Sequence, residues 1–310
     1  MVQSSMELSG FLKTGTWKQW NGKAVRGASR CRNYINMSYV IPGNVLWYFF
    51  QGIEQREIFG TPLDCMEKFR ILEKANLLSQ GLEIFLIPYK LRSFDEFEPW
   101  FYSKYSRLKY KTVHIGDKNE GFLIDSDKIY NKLEILSKML ERLEVDTIIL
   151  HANHLLHEQK TTKGLLDSVL PGITICVENT GFGSEPGSGI EDLVQIFKEY
   201  PKYKLCLDVC HIYDYVDYSL EDFFSVEMLR SRIVQIHFSY STRFDKENLY
   251  AKIGFRGHKP YHALWSVIGK SPSRKSMDFL RKYPIVIEGA VPMQDKSLQY
   301  LRREVELINS

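Results

Sequence analysis

The sequence predicts an α/β protein, a (β/α)8 barrel of the TIM type, from three observations. Short apolar runs rich in β-branched residues alternate with helix-length segments along nearly the whole chain. Eight such runs can be counted. Most of them stop abruptly at a side chain that binds metals, as buried parallel strands do when their carboxyl ends open into a site.

Residues 1–32 are polar and hold two isolated tryptophans, Trp17 and Trp20, so an N-terminal arm or lid is expected there, ahead of one barrel domain over 33–310. Asn33–Ile41 reads as the first strand, stopped by Pro42-Gly43. Val45–Gln80 is mostly helical in pattern, broken at Gly60-Thr61-Pro62, and Leu82–Pro88 is the second strand. Phe94–Leu108 is rich in aromatics: it reads either as a helix packing that face inward or as a loop lining a substrate groove. Tyr110–Gly116 is a strand ending at His114, and Lys128–Leu143 an amphipathic helix. Asp146–His154 is a strand ending at His151, followed by a helix over Glu158–Val169.

Strands five and six lie in Ile173–Ser184 (I-T-I-C-V-E-N-T-G-F-G-S) and Lys204–Tyr215 (K-L-C-L-D-V-C-H-I-Y-D-Y), with a helix from Gly189 to Tyr200 between them. Arg232–Ser239 is a strand ending at His237, and His262–Gly269 and Ser276–Tyr283 supply helix. Pro284–Ala290 is a strand ending at Glu288, and Asp295–Asn309 is a closing helix.

Composition sets bounds on function. The 310 residues are 44% hydrophobic and 25% charged, enough for one large core. A formal charge of +3 neither requires nor excludes a nucleic-acid partner. No apolar run approaches the roughly 20 residues of a membrane span, and the first residues lack the apolar stretch of a secretion signal. The expectation is therefore a cytoplasmic protein in a reducing compartment, with no membrane partner, and a monomer. Its five cysteines (Cys31, Cys65, Cys176, Cys206, Cys210) are an odd number, three of them inside apolar runs, so buried thiols are expected.

His114, His151, Glu178, Asp208, His211, His237 and Glu288 stand at or just past six predicted strand ends. A barrel brings those ends to one mouth, where imidazoles and carboxylates suit zinc, manganese or iron. Left without a cation they would be a costly buried charge network. His258, in a Gly-containing loop after strand seven, is a further ligand or substrate contact, while His154, His157 and His262 read as solvated or capping. Asn179 can orient Glu178 or contact a substrate oxygen. Basic residues in strand-end loops (Lys90, Arg92, Lys118, Arg243, Lys246, Arg256, Lys259) can meet phosphates, or simply be solvated surface.

Within residues 110–290, V-E-N-T-G-F-G-S, L-C-L-D-V-C-H, I-H-F-S, I-L-H-A-N-H and V-I-E-G resemble segments of the endonuclease IV family of xylose-isomerase-like barrels. The resemblance implies a zinc-dependent hydrolase that cleaves a phosphodiester beside an abasic DNA site with a metal-activated hydroxide. It implies one ion on His114, His151 and Glu178, and a second on Glu178, Asp208, His237 and Glu288. His211 would belong to a third, and Glu178, Glu288 and His211 would be catalytic. Substrate contacts would fall to Asn179, His258, Arg256 and Lys259. Two features depart from that family: its N-terminal G-A-H-V-S strand and the D-x-H pair after strand seven, for which His258 is the substitute in sight. The alternative is a sugar isomerase or epimerase with a single Mn, Mg or Co ion on Glu178, Asp208, His237 and Glu288. DNA and a small phosphorylated or polyol substrate thus both stay open.

Overall fold

The computed structural model describes residues 39–46, 58–116, 126–156, 162–181, 187–215, 217–244 and 262–310. Residues 1–32, Trp47, His157, Lys118, Lys246, Arg256, His258 and Lys259 lie outside them.

Eight parallel strands form one sheet: β1 (Val40–Pro42), β2 (Gly81–Leu86), β3 (Tyr110–Ile115), β4 (Thr147–His151), β5 (Thr174–Glu178), β6 (Lys204–Asp208), β7 (Ile233–Phe238) and β10 (Ile285–Ile287). Their order is β1-β10-β7-β6-β5-β4-β3-β2, so the sheet runs almost once around. At the seam the Val40 amide donates to the Gln80 side chain at 2.6 Å. All eight expected strands are present; the first includes Pro42, one residue past its expected end, with residues 33–38 outside the described ones, and the other seven are somewhat shorter than their apolar runs.

Helices return the chain between strands. Thr61 caps the helix Pro62–Lys74, with Pro62 in the first turn, where a missing N–H costs nothing. The helices Ser126–Leu143, Ile190–Glu199 and Gln299–Asn309 follow as expected. Phe94–Leu108 resolves in favour of packing: the helix Pro99–Tyr105 buries Phe101 and Tyr105, and Phe97 lies against them, 4.5 Å from Phe101 between ring centres. Its aromatic face belongs to the main core.

One expectation is corrected. His262–Gly269 is not a helix throughout: β9 (His262–Ala263) pairs antiparallel with β8 (Tyr240–Ser241), and the helix begins at Trp265. Two-residue strands leave no alternation to read, so the helical pattern of the following turn dominated the sequence signal.

Side chains two apart on a strand share a face. The register sets Phe85 beside His114, His151 beside Glu178 and Asp208 beside His237. Two residues earlier on the same face lies a second layer, which includes Glu83, Thr112, Ile149, Cys176, Cys206 and Gln235. Cys65, Cys176, Cys206 and Cys210 are buried and form no disulfide among the described residues. Burial raises their thiol pKa values, so they are protonated.

Candidate metal centre

Local chemistry explains why the strand-end residues converge. Asp208 ends β6 and also caps the helix Val209–Tyr213, its Oδ1 accepting the His211 amide at 2.8 Å. The D-x-x-H spacing is therefore a helix cap that turns His211 over the same mouth and leaves Asp208 Oδ2 for the site. Asn179 locks β5 to β6: its Nδ2 donates to the Asp208 carbonyl at 3.0 Å and its Oδ1 accepts the Asp208 amide at 2.8 Å. Both ends of the Asn179 amide are thus engaged with the Asp208 backbone. Gly181 lies so near His211 and Asp214 that a Cβ there would stand 2.5 Å from His211 Nδ1.

Glu178 is at the centre. Its Oε2 lies 3.1 Å from His114 Nε2 and 3.5 Å from His151 Nε2, while its Oε1 lies 3.0 Å from His237 Nδ1. Glu288 spans the other side, with Oε1 3.4 Å from His114 Nδ1 and Oε2 3.2 Å from His237 Nδ1. Asp208 Oδ2 is 3.8 Å from His211 Nε2 and 3.9 Å from His262 Nδ1. Ligand atoms of His114, His151 and Glu178 lie within 4.8 Å of one another, as do those of Glu178, Asp208, His237 and Glu288, and those of Cys210, His211 and His262.

The electrostatics fit a cation. Burial opposes charge on Glu178 and Glu288, yet the neighbouring histidines hold both carboxyls well below their usual range. Burial likewise depresses His114 and His237, but Glu178 and Glu288 outweigh it and raise His114, and Cys206 followed by Glu288 and Glu178 raises His237. Asp208 is raised, first by burial and then by Glu178 and Glu288. His211 also rises, to about 9: burial lowers it, but Asp208 and Asp214 overcome that. His262 falls to about 4 through burial and the charge of His211.

Buried polar atoms nearly always find hydrogen-bond partners. Here Glu178 Oε2, Asp208 Oδ2, Glu83 Oε1 and both ring nitrogens of His114 have none, although Glu178 Oε2 lies 3.1 Å from His114 Nε2. Protons on the histidines balance these carboxylates, and metal ions would balance them equally. The donor set fits zinc, manganese or iron.

All seven strand-end residues expected as ligands are thus gathered at one mouth. The expected contacts His258, Arg256 and Lys259 fall outside the described residues. Lys90, among the basic residues expected near phosphates, donates to the Phe59 carbonyl at 2.9 Å. Two site residues escaped the sequence reading. His262, expected to be solvated or capping, is largely buried beside His211, with ring centres 4.9 Å apart, and its Nδ1 is 2.9 Å from Ser239 Oγ. It is held there because the Ala290 amide donates to its carbonyl at 3.0 Å. Glu83, in the middle of β2, reaches up to His237 from below. An acid inside the apolar run L-E-I-F-L-I was its one visible signal.

Residues 139–283 match the family described as xylose isomerase-like TIM barrel. A comparison with curated proteins finds no match. Three of the similar solved structures carry different chemistries on this fold. A probable 3-DHS dehydratase from Bacillus anthracis shares 13% identity at a TM-score of 0.58, covering 88% of this chain and 99% of that one. A D-psicose 3-epimerase from Clostridium cellulolyticum, in complex with D-tagatose, shares 16% identity at 0.54, covering 88% and 97%. Endonuclease IV from Thermus thermophilus shares 16% identity at 0.52, covering 87% and 99%. Identities this low speak for the fold and not for one of these reactions. Eight parallel strands in this order give the chain a TIM-barrel fold, and the family match over residues 139–283, from before β4 to just before β10, makes that part of it similar to the xylose isomerase-like barrels.

Proposed function

We propose that the protein is a metal-dependent phosphodiesterase that uses at least two ions, with abasic-site DNA as the first substrate to test. The observation that carries this is the division of Glu178: one oxygen faces His114 and His151, the other faces His237. A carboxylate so divided is disposed to bridge two cations, whereas a single-ion site needs neither His114 nor His151.

His114, His151 and Glu178 would hold one ion, and Glu178, Asp208, His237 and Glu288 the other. When bound, the ions would supply Lewis acidity toward the phosphoryl oxygens and acidify water. The chain's own part is to keep these ligands rigid and dry: Asn179 fixes the Asp208 backbone, and Asp214 holds His211 Nδ1 at 3.4 Å. Asp208, His211 and His262 would be the residues to hold any third ion, His262 serving in place of a D-x-H pair.

The compact set Glu178, Asp208, His237 and Glu288 also favours a second reading, a one-ion isomerase or epimerase of a small polyol. The two readings separate in one experiment. Metal-repleted protein is given a duplex with one abasic site, and Glu288→Gln is the control for contaminating nucleases. Cleavage lost in the variant supports the hydrolase. Bound metal without cleavage rejects it for this substrate and moves the search to phosphorylated sugars and polyols.

A further inference from the structure

We infer that Glu83 is a positioning residue for the metal centre: from the layer below the mouth it fixes the ring of His237 so that Nδ1 faces the ions. The inference rests on the metal-centre reading and not on the identity of the substrate.

Three observations carry it. First, His237 is fully buried and its two nitrogens face different worlds. Nδ1 lies 3.0 Å from Glu178 and 3.2 Å from Glu288, while Nε2 lies 3.1 Å from Glu83 Oε1 and 3.4 Å from Oε2. A neutral imidazole has one donor and one acceptor nitrogen, so whichever group takes the Nε2 proton leaves the Nδ1 lone pair for a metal.

Second, Glu83 is itself held. Thr112 Oγ1 and Gln235 Nε2 each donate to its Oε2 at 2.7 Å. Gln235 is fixed in turn by the Tyr110 hydroxyl, which donates to its Oε1 at 2.8 Å. The amide nitrogen of Gln235 also lies 2.9 Å from His237 Nε2. With Nδ1 unprotonated the Nε2 proton goes to Glu83, and Gln235 directs its two amide hydrogens to Glu83 Oε2 and the Cys206 sulfur, 2.7 and 3.7 Å away.

Third, the setting leaves Glu83 little other use. It is buried in an all-parallel barrel, where an unpartnered carboxylate would be costly. Glu83, His114, His237 and Glu288 also bring ligand atoms within 4.8 Å of one another. Two donors occupy Glu83 Oε2, its Oε1 has no hydrogen-bond donor and faces His237 Nε2 at 3.1 Å, and Glu83 sits opposite Thr112, two residues below the level of Phe85 and His114. Its geometry is that of a carboxylate behind a histidine ligand rather than of a ligand.

Such outer partners typically change metal affinity by about 10- to 100-fold when removed. The test is zinc titration of wild type and Glu83→Gln against a chromophoric chelator, with long-range proton–nitrogen NMR of the imidazoles in the zinc-loaded proteins. The expected result is affinity about 10- to 100-fold weaker in the variant, with the His237 Nε2 proton losing the downfield shift of a carboxylate hydrogen bond. Zinc binding within twofold of wild type together with an unchanged His237 spectrum would overturn the inference, since a merely structural role moves neither. Should Glu83→Gln not fold, Thr112→Val removes one of the carboxylate's donors at similar volume and decides the question, with a loss of about fivefold expected for one hydrogen bond. Failure of the wild type to bind zinc, manganese or iron would instead reject the metal centre, and this inference with it.

Discussion

The ring of side chains at the barrel mouth and the layer just beneath it occupy the same eight strands, two residues apart, yet they are built on opposite rules. In the mouth ring nearly every strand presents an ionisable group: His114, His151, Glu178, Asp208, His237 and Glu288. In the lower layer the sector from β4 to β6 is apolar, with Ile149, Cys176 and Cys206 packed on one another. Among the described residues the polar part of this layer is Glu83, Thr112 and Gln235, which hydrogen-bond together beside His237. The difference teaches that the charge of the site ends sharply. Below β4–β6 the barrel is an ordinary packed core, and the one place where polarity reaches downward is where a histidine has a second nitrogen to satisfy.

The largest effect should come from breaking the upper ring at its centre. Glu178→Gln removes the charge shared by His114, His151 and His237 and the means of bridging two ions. Metal content measured by elemental mass spectrometry should fall, and cleavage of the abasic-site duplex proposed as substrate should drop by about 10³-fold or more, the equivalent of several kcal/mol of lost Lewis-acid stabilisation. Full metal content in this variant would show that the two ligand groups do not depend on a shared carboxylate.

How much of this was legible in the sequence follows from the physics of the signals. Strands such as Thr147–His151 and Ile233–Phe238 were visible because a strand buried on both faces is a continuous apolar run, and its end is marked by the first residue that cannot stay in a core. The ligands were visible for the same reason, since a barrel sends strand ends to one place. Glu83 gives a weak signal because it lies two positions before the strand end, inside an apolar run, although period-two alternation puts it on the same face as Phe85. His262 was invisible because what aims it is a two-residue pairing with Ser241 and a bond from Ala290, contacts formed between segments far apart in the chain.

The second variant sharpens the contrast from below. Ile149 is fully buried in the apolar sector. Ile149→Ala should cost about 3 kcal/mol of stability by opening a cavity, read by urea unfolding of the metal-free protein. Zinc affinity should stay within twofold of wild type. If Ile149→Ala weakened zinc as much as Glu83→Gln, the lower layer would act through packing alone and the distinction between its two sectors would fall.

The smallest effect concerns a buried carboxylate that faces no histidine. Glu304, on the closing helix Gln299–Asn309, accepts the backbone amides of Trp265 and Ser266 at 3.0 and 2.7 Å, and so caps the helix that follows His262. Burial raises its pKa to about 7, with the bonds from Ser266 and Trp265 only partly offsetting it. An acid with a raised folded-state pKa binds its proton more tightly folded than unfolded. Between the ordinary glutamate value and about 7 the folded state therefore holds more protons, and stability falls as pH rises through that window. Nearly a full proton separates the two states between pH 5 and 6, so this group should contribute a loss of about 1 kcal/mol over that interval. Other groups titrate there too, so the quantity to read is the difference between wild type and Glu304→Gln in urea unfolding at the two pH values. Parallel stability curves would mean that the two amide bonds compensate fully for burial, as the histidines do for Glu178; diverging curves would set Glu304 apart as the carboxylate whose partners are too weak to keep it charged.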